Sequence, residues 1–412
     1  MAESETTSAS DAEARVTTPA RVSGLRKIVF VCYGAFDCNS AAHIAGFANG
    51  LAGAGYSVAV CAAGGVPDAY HFGAAAFEFF TIDDLARDPE AVIGFDGKFE
   101  PARTMLACWT PRENVRRAVA PVAARYGIPY VVHLEDNEEH LGSLERQPAK
   151  RWQWRQKPMP DAVTDPALLK GFLAGARGLT LIEERLKEIA PPELPAIVLE
   201  PGLDLQAFGS ELPQHRRATI RRAVGCPTEA TMLVYPGNVH RANAEEVSFL
   251  YEAVRLLRQR GRDVTLVRTG SDHFAGAAFL KDATPERGIV TLGRVERPFL
   301  IDLLKSADVF VQPGRPGPFN DYRLPSKLPE FMAVGRPILL PSTNVGTRLR
   351  HRVDALLLQE GSPQEISHLV ESILDDPALG ARLSANARAF AALHYDIGNQ
   401  TRKLERFLQE LI

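Results

Sequence analysis

The most informative stretch of this chain is Arg323-Leu-Pro-Ser-Lys-Leu-Pro-Glu-Phe-Met-Ala-Val-Gly-Arg-Pro337. It follows a loop rich in glycine and proline (residues 313–320) and precedes a short apolar strand (residues 338–340). A loop that leads into a helix leaves unpaired backbone N–H groups at the helix N-terminus, where the helix dipole also favours negative charge. The stretch therefore predicts an anion-binding site at the start of a short helix.

The register of this helix places two charged side chains together. With Ser326 as the N-cap, Pro329 falls at the third helical position, where its missing N–H costs little. Lys327 and Glu330 then share one face, at about 100° per residue. This arrangement predicts a cation for phosphate oxygens beside a carboxylate that accepts hydrogen bonds from sugar hydroxyls. An ordinary surface ion pair between the two side chains is the alternative interpretation.

The composition is typical of a globular protein with more than one domain. The chain has 412 residues, of which 45% are hydrophobic and 24% charged, and this length is too great for one hydrophobic core. The net charge of −3 argues against nucleic acid as a partner, because nonspecific nucleic-acid binding needs a basic surface. The sequence has no run of about 18 apolar residues, the length that a membrane-spanning helix needs.

Residues 1–24 are rich in Ser, Thr, Ala and Glu, which predicts a disordered tail and not a secretory signal. Cys32 and Cys61 lie in apparent buried strands, which is typical of small hydrophobic residues in a reducing compartment, and we expect a cytoplasmic protein. Residues 145–160 interleave aromatic and basic side chains. We interpret this segment as a solvated connector, with contact to a membrane surface or to an anionic acceptor as the alternative.

Strand and helix patterns alternate along nearly the whole chain, which predicts an α/β fold with parallel sheets. We expect two doubly wound, Rossmann-like domains, residues 25–205 and 206–394, whose binding edges face each other across a cleft. A final amphipathic helix within about residues 395–412 is expected to pack back onto the first domain. A capping box at residues 110–113 predicts a helix start. The loops at 34–39 and 237–242 lack the three spaced glycines of a dinucleotide site, which disfavours NAD and FAD.

Taken together, these pieces resemble the retaining family 4 group of the GT-B glycosyltransferases, also called glycosyl transferases group 1. The matching segments are residues 235–238, 266–272, 290–293, 303–309 and 323–337 in the second half, with looser matches at 34, 133–136 and 201–204 in the first. The resemblance implies transfer of a sugar from a nucleoside-diphosphate sugar to an acceptor hydroxyl, with retention and without a metal or other cofactor. It implies that the first domain binds the acceptor, whose class the sequence does not fix, and that the second binds the donor.

The chain departs from the family pattern at three positions. The family pairs two carboxylates: Glu330 matches the one that contacts the donor ribose, whereas Tyr322 stands where the other is expected, beside Asp321. The phosphate-binding Arg and Lys of the family align with Asn238 and Asn243. These departures give more weight to Lys327 and Arg241 as candidate cations for the phosphate site.

The resemblance also implies roles for individual residues. The candidate donor-binding residues are Gly34, Asn238, Arg241, Gly270, Gly293, Leu324, Pro325, Ser326, Lys327 and Glu330. The candidate catalytic residues are His133, Lys327 and Glu330, with His133 expected to hydrogen-bond the transferred sugar. Glu135 and Asp136 are candidates to orient the acceptor hydroxyl. The alternatives are a packed histidine at a strand end, a solvated acidic helix start, and ordinary turn glycines at 270 and 293.

Two other functions remain as alternatives at this point. A GT-B sugar-nucleotide epimerase shares the two-domain cleft, but it needs a carboxylate and histidine set that the second half lacks. A degenerate GT-B protein would bind nucleotide, sugar or a partner without turnover. Tyr322, Asn238 and Asn243 motivate this second alternative.

Overall fold

The structure, a computed structural model, describes residues 24–64, 75–140, 165–240, 242–272 and 278–412. These residues form two α/β domains, each built on one parallel sheet, which confirms the predicted fold class. The predicted tail up to residue 23 and the segment at 145–160 lie outside the described residues. Within the described ranges, every helix is too short or too polar to cross a membrane.

The first domain contains a seven-stranded sheet. Its strands are β1 (Lys27–Cys32), β2 (Ser57–Ala62), β3 (Glu78–Thr81), β4 (Thr104–Trp109), β5 (Tyr130–Leu134), β6 (Gly178–Leu181) and β7 (Ala196–Val198). They lie in the order β3-β2-β1-β4-β5-β6-β7. The helices are α1 (Asn39–Gly53), α2 (Ile82–Arg87), α3 (Pro89–Ile93), α4 (Glu113–Tyr126) and α5 (Pro166–Ala174). Strands β1, β4 and β5 are buried at every position, as expected for a parallel sheet covered on both faces.

The second domain contains a six-stranded sheet. Its strands are β8 (Thr231–Pro236), β9 (Val264–Thr269), β10 (Ile289–Thr291), β11 (Val309–Val311), β12 (Ile338–Pro341) and β13 (Leu356–Leu358), in the order β10-β9-β8-β11-β12-β13. The helices are α6 (Leu205–Gly209), α7 (Gln214–Ala223), α8 (Ala244–Gln259), α9 (Arg297–Ser306), α10 (Lys327–Val334), α11 (Pro363–Asp375) and α12 (Pro377–His394).

The order of the strands reverses at one point in each sheet. In the first sheet the reversal lies between β1 and β4, and in the second it lies between β8 and β11. Ligands of open α/β sheets bind at the carboxyl ends of the strands beside such a reversal. The loops after β1 and β8, and the N-terminus of α10 after β11, therefore occupy the positions where a ligand is expected.

The chain passes from one domain to the other at two places, and the two crossing segments lie side by side. The Leu203 N–H donates to the Tyr395 carbonyl at 2.7 Å, and the Ile397 N–H donates to the Leu203 carbonyl at 3.1 Å. The last helix, α13 (Ile397–Glu410), then packs on α1 of the first domain. The Tyr56 hydroxyl, just beyond α1, donates to Glu405 of α13 at 3.1 Å.

The capping box predicted at residues 110–113 is wrong. Helix α4 begins at Glu113, and Arg112 is its N-cap without a side-chain hydrogen bond to the helix. The Glu113 carboxylate instead accepts hydrogen bonds from Arg116 at 2.7 and 2.8 Å and pairs with Arg117 at 3.2 Å. Its charge still lies in the first turn, where the helix dipole favours it.

Candidate active site

The carboxyl edges of the two sheets face each other across a cleft. Three side-chain pairs join loops of the two edges: Asp37 with Arg294 at 2.9 Å, Arg185 with Asp321 at 3.1 Å, and Glu188 with the Tyr322 hydroxyl at 2.9 Å. Asp37 lies in the loop after β1, and Arg294 lies in the loop after β10. Loops at the carboxyl ends of both sheets thus line the cleft.

Two cations lie together at the start of α10. The Lys327 ammonium is 4.5 Å from the centre of the Tyr235 ring, and a Cβ added to Gly237 would lie only 2.8 Å from it. Burial and the neighbouring Arg323 guanidinium lower the pKa of Lys327 to about 7. The Arg323 guanidinium lies 4.1 Å from the centre of the Phe319 ring. Among the described residues, neither cation forms an ion pair with a carboxylate.

Glu330 is not paired with Lys327, so the interpretation as a surface ion pair between these two residues is wrong. The Glu330 carboxylate is nearly buried and pairs with Arg297 at the N-terminus of α9, at 2.6 Å. The Ser326 side chain does not cap α10, because its backbone is already helical, with φ −54° and ψ −21°. Pro329 does occupy the third helical position as predicted.

The loop after β8 is held by its own asparagines. The Asn238 side-chain oxygen accepts the Ser271 N–H at 2.8 Å, and the Asn243 amide donates to the Asn238 carbonyl at 2.9 Å. The two asparagines that stand where the resemblance implies cations therefore join this loop to itself and to the loop after β9. A Cβ on Gly270 would lie 2.6 Å from the Gly237 carbonyl carbon, so Gly270 is required for this close approach of two loops. That contact supports the turn alternative for Gly270.

The residues near the missing carboxylate contact the protein itself. The Tyr322 hydroxyl donates to Glu188 of the first domain, with the Arg185 guanidinium 5.2 Å from its ring centre. The Asp321 carboxylate accepts hydrogen bonds from the Gly317 N–H at 2.9 Å and from the Thr343 hydroxyl at 2.5 Å. Asp321 is thus held by contacts to the loop at Gly317, to Thr343 and to Arg185.

His133 lies in β5, buried beneath the cleft. Its ring stacks on Trp109 with ring centres 3.9 Å apart, and its Nδ1 is 2.9 Å from the Thr180 hydroxyl. Burial lowers the pKa of His133 to about 4, so the imidazole is neutral at neutral pH. The Nε2 atom is buried without a hydrogen-bond partner among the described residues. An unsatisfied polar atom of this kind is available to a ligand hydroxyl.

Glu135 connects three elements of the first domain. Its carboxylate accepts hydrogen bonds from the Ser40 hydroxyl at 2.5 Å and the Trp109 indole at 2.9 Å, and His43 Nδ1 lies 3.6 Å away. Burial alone would raise the pKa of Glu135, but the neighbouring His43 and His133 imidazoles and the Ser40 hydroxyl hold it at about 2. Glu135 is therefore an ionised, well-anchored carboxylate and not part of a solvated acidic run.

The next two carboxylates surround Arg112. Glu138 lies 3.1 Å from Arg112 and Asp136 lies 3.9 Å from it. Burial raises the pKa of Glu138 to about 8, and burial also raises the pKa of Asp136, although Arg112 and Arg323 oppose that shift. The positive charge of Arg323 thus opposes, from the other side of the cleft, the rise in the pKa of Asp136. Within the described ranges, no group of three or more His, Cys, Asp and Glu residues is arranged to hold a metal ion.

The remaining predicted residues lie around the same cleft. Gly34 packs against Cys38, whose Sγ would be 2.7 Å from a Cβ at position 34. Gly293 has a φ of +68° with open space where a Cβ would point, while Leu324 and Pro325 are buried before α10. Arg241 lies outside the described residues.

Sequence reasoning missed three residues that contribute to the site: Arg323, Arg297 and His43. Arg323 is the first residue of the stretch at 323–337 and lies directly before the Leu-Pro pair. This position beside the predicted anion site could have identified it as a candidate cation. Arg297 and His43 reach the site from distant elements, and no local pattern marks them.

Comparison with known proteins is consistent with this geometry. Residues 230–376 match the family model described as glycosyl transferases group 1. A D-inositol 3-phosphate glycosyltransferase of Thermobispora bispora is 29% identical over 213 residues, which is 49% of this chain and 47% of the relative. The chain spans about half the length of the relatives that it matches in sequence.

Two solved structures share the fold of nearly the whole chain. Anabaena HepE in complex with UDP and glucose has a TM-score of 0.68 at 14% identity, covering 93% of this chain and 99% of that one. Sucrose-phosphate synthase from Thermosynechococcus elongatus has a TM-score of 0.68 at 15% identity, covering 94% and 99%. The chain therefore has the two-domain GT-B fold, and its residues 230–376 match the family model of glycosyl transferases group 1.

Proposed function

We propose that the protein transfers a sugar from a nucleoside-diphosphate sugar to an acceptor hydroxyl, with retention and without a metal or other cofactor. The observation that carries this proposal is the pair of cations at the start of α10. Lys327 and Arg323 lie close enough for one to lower the pKa of the other, and among the described residues neither has a carboxylate partner. The relatives named D-inositol 3-phosphate glycosyltransferase support the sugar transfer itself.

Two neighbouring positive charges destabilise each other until an anion binds between them. A diphosphate supplies that anion, and its charge grows as the glycosidic bond breaks. Preorganised cations and backbone N–H groups in a water-poor cleft then stabilise the leaving group more than the bound substrate. Lys327 and Arg323 fill this role in the proposal.

Glu330 is the proposed partner of the donor ribose. Its Oε1 atom is held by Arg297, which leaves Oε2 as the candidate acceptor for ribose hydroxyls. Fixing one oxygen reduces the side-chain entropy that is lost when the ligand binds. Arg297 is therefore a positioning residue in this proposal.

The first domain supplies the polar groups around the sugar. The unpartnered Nε2 of neutral His133 is the proposed contact for a hydroxyl of the transferred sugar, and Glu135 and Asp136 are the proposed contacts of the acceptor. In the proposed step, the acceptor oxygen attacks the anomeric carbon on the face that the diphosphate leaves. The bond from that carbon to the phosphate oxygen breaks, and the departing oxygen takes the acceptor's proton.

Variants of the two cations test the proposal. We expect Arg323→Met and Lys327→Met each to weaken turnover of the nucleotide sugar by about a hundredfold, because each removes one group that stabilises the leaving phosphate. Arg315→Met is the matched control, since this exposed arginine lies in the loop at 313–320 and pairs with Glu245 of α8. Turnover is measured with a panel of nucleotide sugars and acceptors, with and without a chelator, and the anomeric configuration of the product is read by NMR.

Other outcomes of these assays would contradict the proposal in distinct ways. Wild-type turnover of the nucleotide sugar in both cation variants would show that the site assignment is wrong. Nucleotide binding without transfer to any acceptor would indicate a binding protein. An epimer formed from the nucleotide sugar alone would indicate an epimerase.

A further inference from the structure

Two cysteine thiols lie together beneath the loop that follows β1. Cys32 is the last residue of β1 and is fully buried, and Cys38 is the half-buried N-cap of α1. Their sulfur atoms are 3.8 Å apart. The Cys38 sulfur also accepts the Ala41 N–H at 3.4 Å. The pair therefore joins the end of a central strand to the start of the helix that borders the cleft.

Cys38 has the surroundings of a reactive thiol. The hydrogen bond from Cys32 lowers the pKa of Cys38, burial opposes this shift, and the first N–H groups of α1 add to the lowering. The thiolate is the form that attacks oxidants, and helix N-termini favour it. The other three cysteines (Cys61, Cys108 and Cys226) are buried, and burial raises the pKa of each. Cys38 is thus the thiol most prone to attack an oxidant, with a second thiol in reach.

We propose that Cys32 and Cys38 form a reversible disulfide when the protein meets a peroxide, and that this bond disables the loop after β1. The Cys38 thiolate attacks a peroxide oxygen, the O–O bond breaks, and the Cys38 sulfur becomes a sulfenic acid. The departing hydroxide takes up the proton that the Cys38 thiol released and leaves as water. The Cys32 sulfur then attacks the Cys38 sulfur and displaces the hydroxyl, which leaves as water with the Cys32 proton. One hydrogen peroxide is reduced to two waters, and two thiols are oxidised to one disulfide.

The bond requires movement of the loop. A disulfide brings its sulfurs to about 2.05 Å, so Cys38 must shift toward β1 from its present 3.8 Å separation. The Ala41 N–H then loses its side-chain acceptor. Gly34 is packed directly on Cys38, and Asp37 beside it holds Arg294 of the second domain at 2.9 Å. The shift therefore disturbs both the wall of the cleft and one of the pairs that join its two sides.

Only the functional consequence rests on the proposed function; the disulfide itself does not. If the cleft binds a nucleotide sugar, the oxidised protein should bind UDP-glucose, or whichever nucleotide sugar the reduced protein binds best, about tenfold more weakly. A thiol reductant should restore the affinity, because the exchange is reversible.

The chemistry is tested by oxidising the full chain with hydrogen peroxide, followed by mass spectrometry of the intact protein and its peptides. We expect the wild type to lose two hydrogen atoms and to give a linked Cys32–Cys38 peptide that dithiothreitol separates. Cys38→Ser should form no such link. Cys32→Ala should leave Cys38 without a resolving thiol, so that Cys38 gains oxygen atoms instead. Cys226→Ser is the control and should be oxidised like the wild type.

The outcomes separate this proposal from the proposed function. The proposed disulfide would be contradicted if the oxidised wild type gave no linked peptide. It would also be contradicted if Cys38 of the wild type gained oxygen atoms, as it is expected to do in Cys32→Ala. A linked peptide with unchanged nucleotide affinity would overturn its effect on the loop. Failure of the reduced protein to bind any nucleotide sugar would overturn the proposed function and the effect on affinity, while the peptide map still decides whether the bond forms.

Discussion

Lys327 carries its charge in surroundings that oppose it. Burial and Arg323 lower its pKa to about 7, well below the ordinary range for a lysine. The protonated form is therefore only partly populated near neutral pH. A diphosphate beside the ammonium would favour the protonated form and raise its pKa again.

We expect the affinity for a nucleotide sugar to fall as the pH rises through about 7, because the free protein then loses the Lys327 proton that the complex retains. Above that pH, binding should take up a proton. Calorimetry in buffers with different ionisation enthalpies measures this uptake. An intact nucleotide sugar is the right probe, since its diphosphate has no terminal phosphate to titrate.

Lys327→Arg is the matched variant for this prediction. A guanidinium stays protonated throughout this range, so the variant should bind without proton uptake and with a flat pH profile between about 6 and 9. Undiminished uptake in Lys327→Arg would assign the titration to another group.

For single residues, the sequence predicted where a side chain lies on its helix better than it predicted which residues that side chain contacts. The helix register placed Lys327 and Glu330 on α10, and that register depends only on local geometry. The partner of Glu330 is Arg297 at the N-terminus of another helix, and the partners of Glu135 include Ser40 in α1. Contacts between distant elements depend on packing, which no local pattern encodes.

Among the elements, strands were easier to predict from the sequence than the starts of helices. β2, at Ser57–Ala62, illustrates the reason: a buried parallel strand is a nearly continuous apolar run between polar turns. The start of α4 was mispredicted, since a capping box describes local hydrogen bonds and Glu113 finds arginine partners one turn later in the same helix. Close approach between helices, as between α1 and α13, has no signal of this local kind.

Gly50 of α1 tests how closely these two helices pack. An added Cβ would lie 2.6 Å from Thr401 Oγ1 and 2.8 Å from Thr401 Cγ2. We expect Gly50→Ala to lower the free energy of unfolding by about 1–3 kcal/mol, because overpacking outweighs the better helix propensity of alanine. Denaturant unfolding measures the change.

Gly53→Ala in the same helix is the control, because nothing lies within 4 Å of a Cβ there. It should be neutral or stabilising by up to about 1 kcal/mol. The double variant Gly50→Ala/Thr401→Ala should recover part of the loss. Equal effects of the two single glycine substitutions would contradict the predicted clash.

At the scale of the whole molecule, the buried carboxylate of Glu200 joins the two domains, close to where the chain passes between them. Glu200 follows β7, and its two oxygens contact Arg348 of the second domain at 2.5 Å and His394 at the end of α12 at 3.3 Å. The Glu200 side chain is 7% exposed. Removing its charge would leave Arg348 with a poorer partner in a partly buried position.

We expect Glu200→Gln to lower the free energy of unfolding by roughly 1–3 kcal/mol. Glu188→Gln is the control, because Glu188 also joins the two domains, through Tyr322, but its side chain is 56% exposed. That substitution should change stability by less than about 0.5 kcal/mol, as surface contacts commonly do. Denaturant unfolding of both variants measures these changes. A larger loss of stability in Glu188→Gln than in Glu200→Gln would contradict the predicted order.

The position of α13 has a consequence for synthesis on the ribosome. The Tyr56 hydroxyl donates to Glu405, 349 positions later in the chain. Contacts at such a separation form late, because a long intervening segment must be closed first. The nascent first domain therefore emerges with α1 uncovered, and Leu404, Phe407 and Leu408 join its apolar cluster only after the second domain has been translated. The domain made first is the one completed last, and its exposed helix surface is where a chaperone would bind the growing chain.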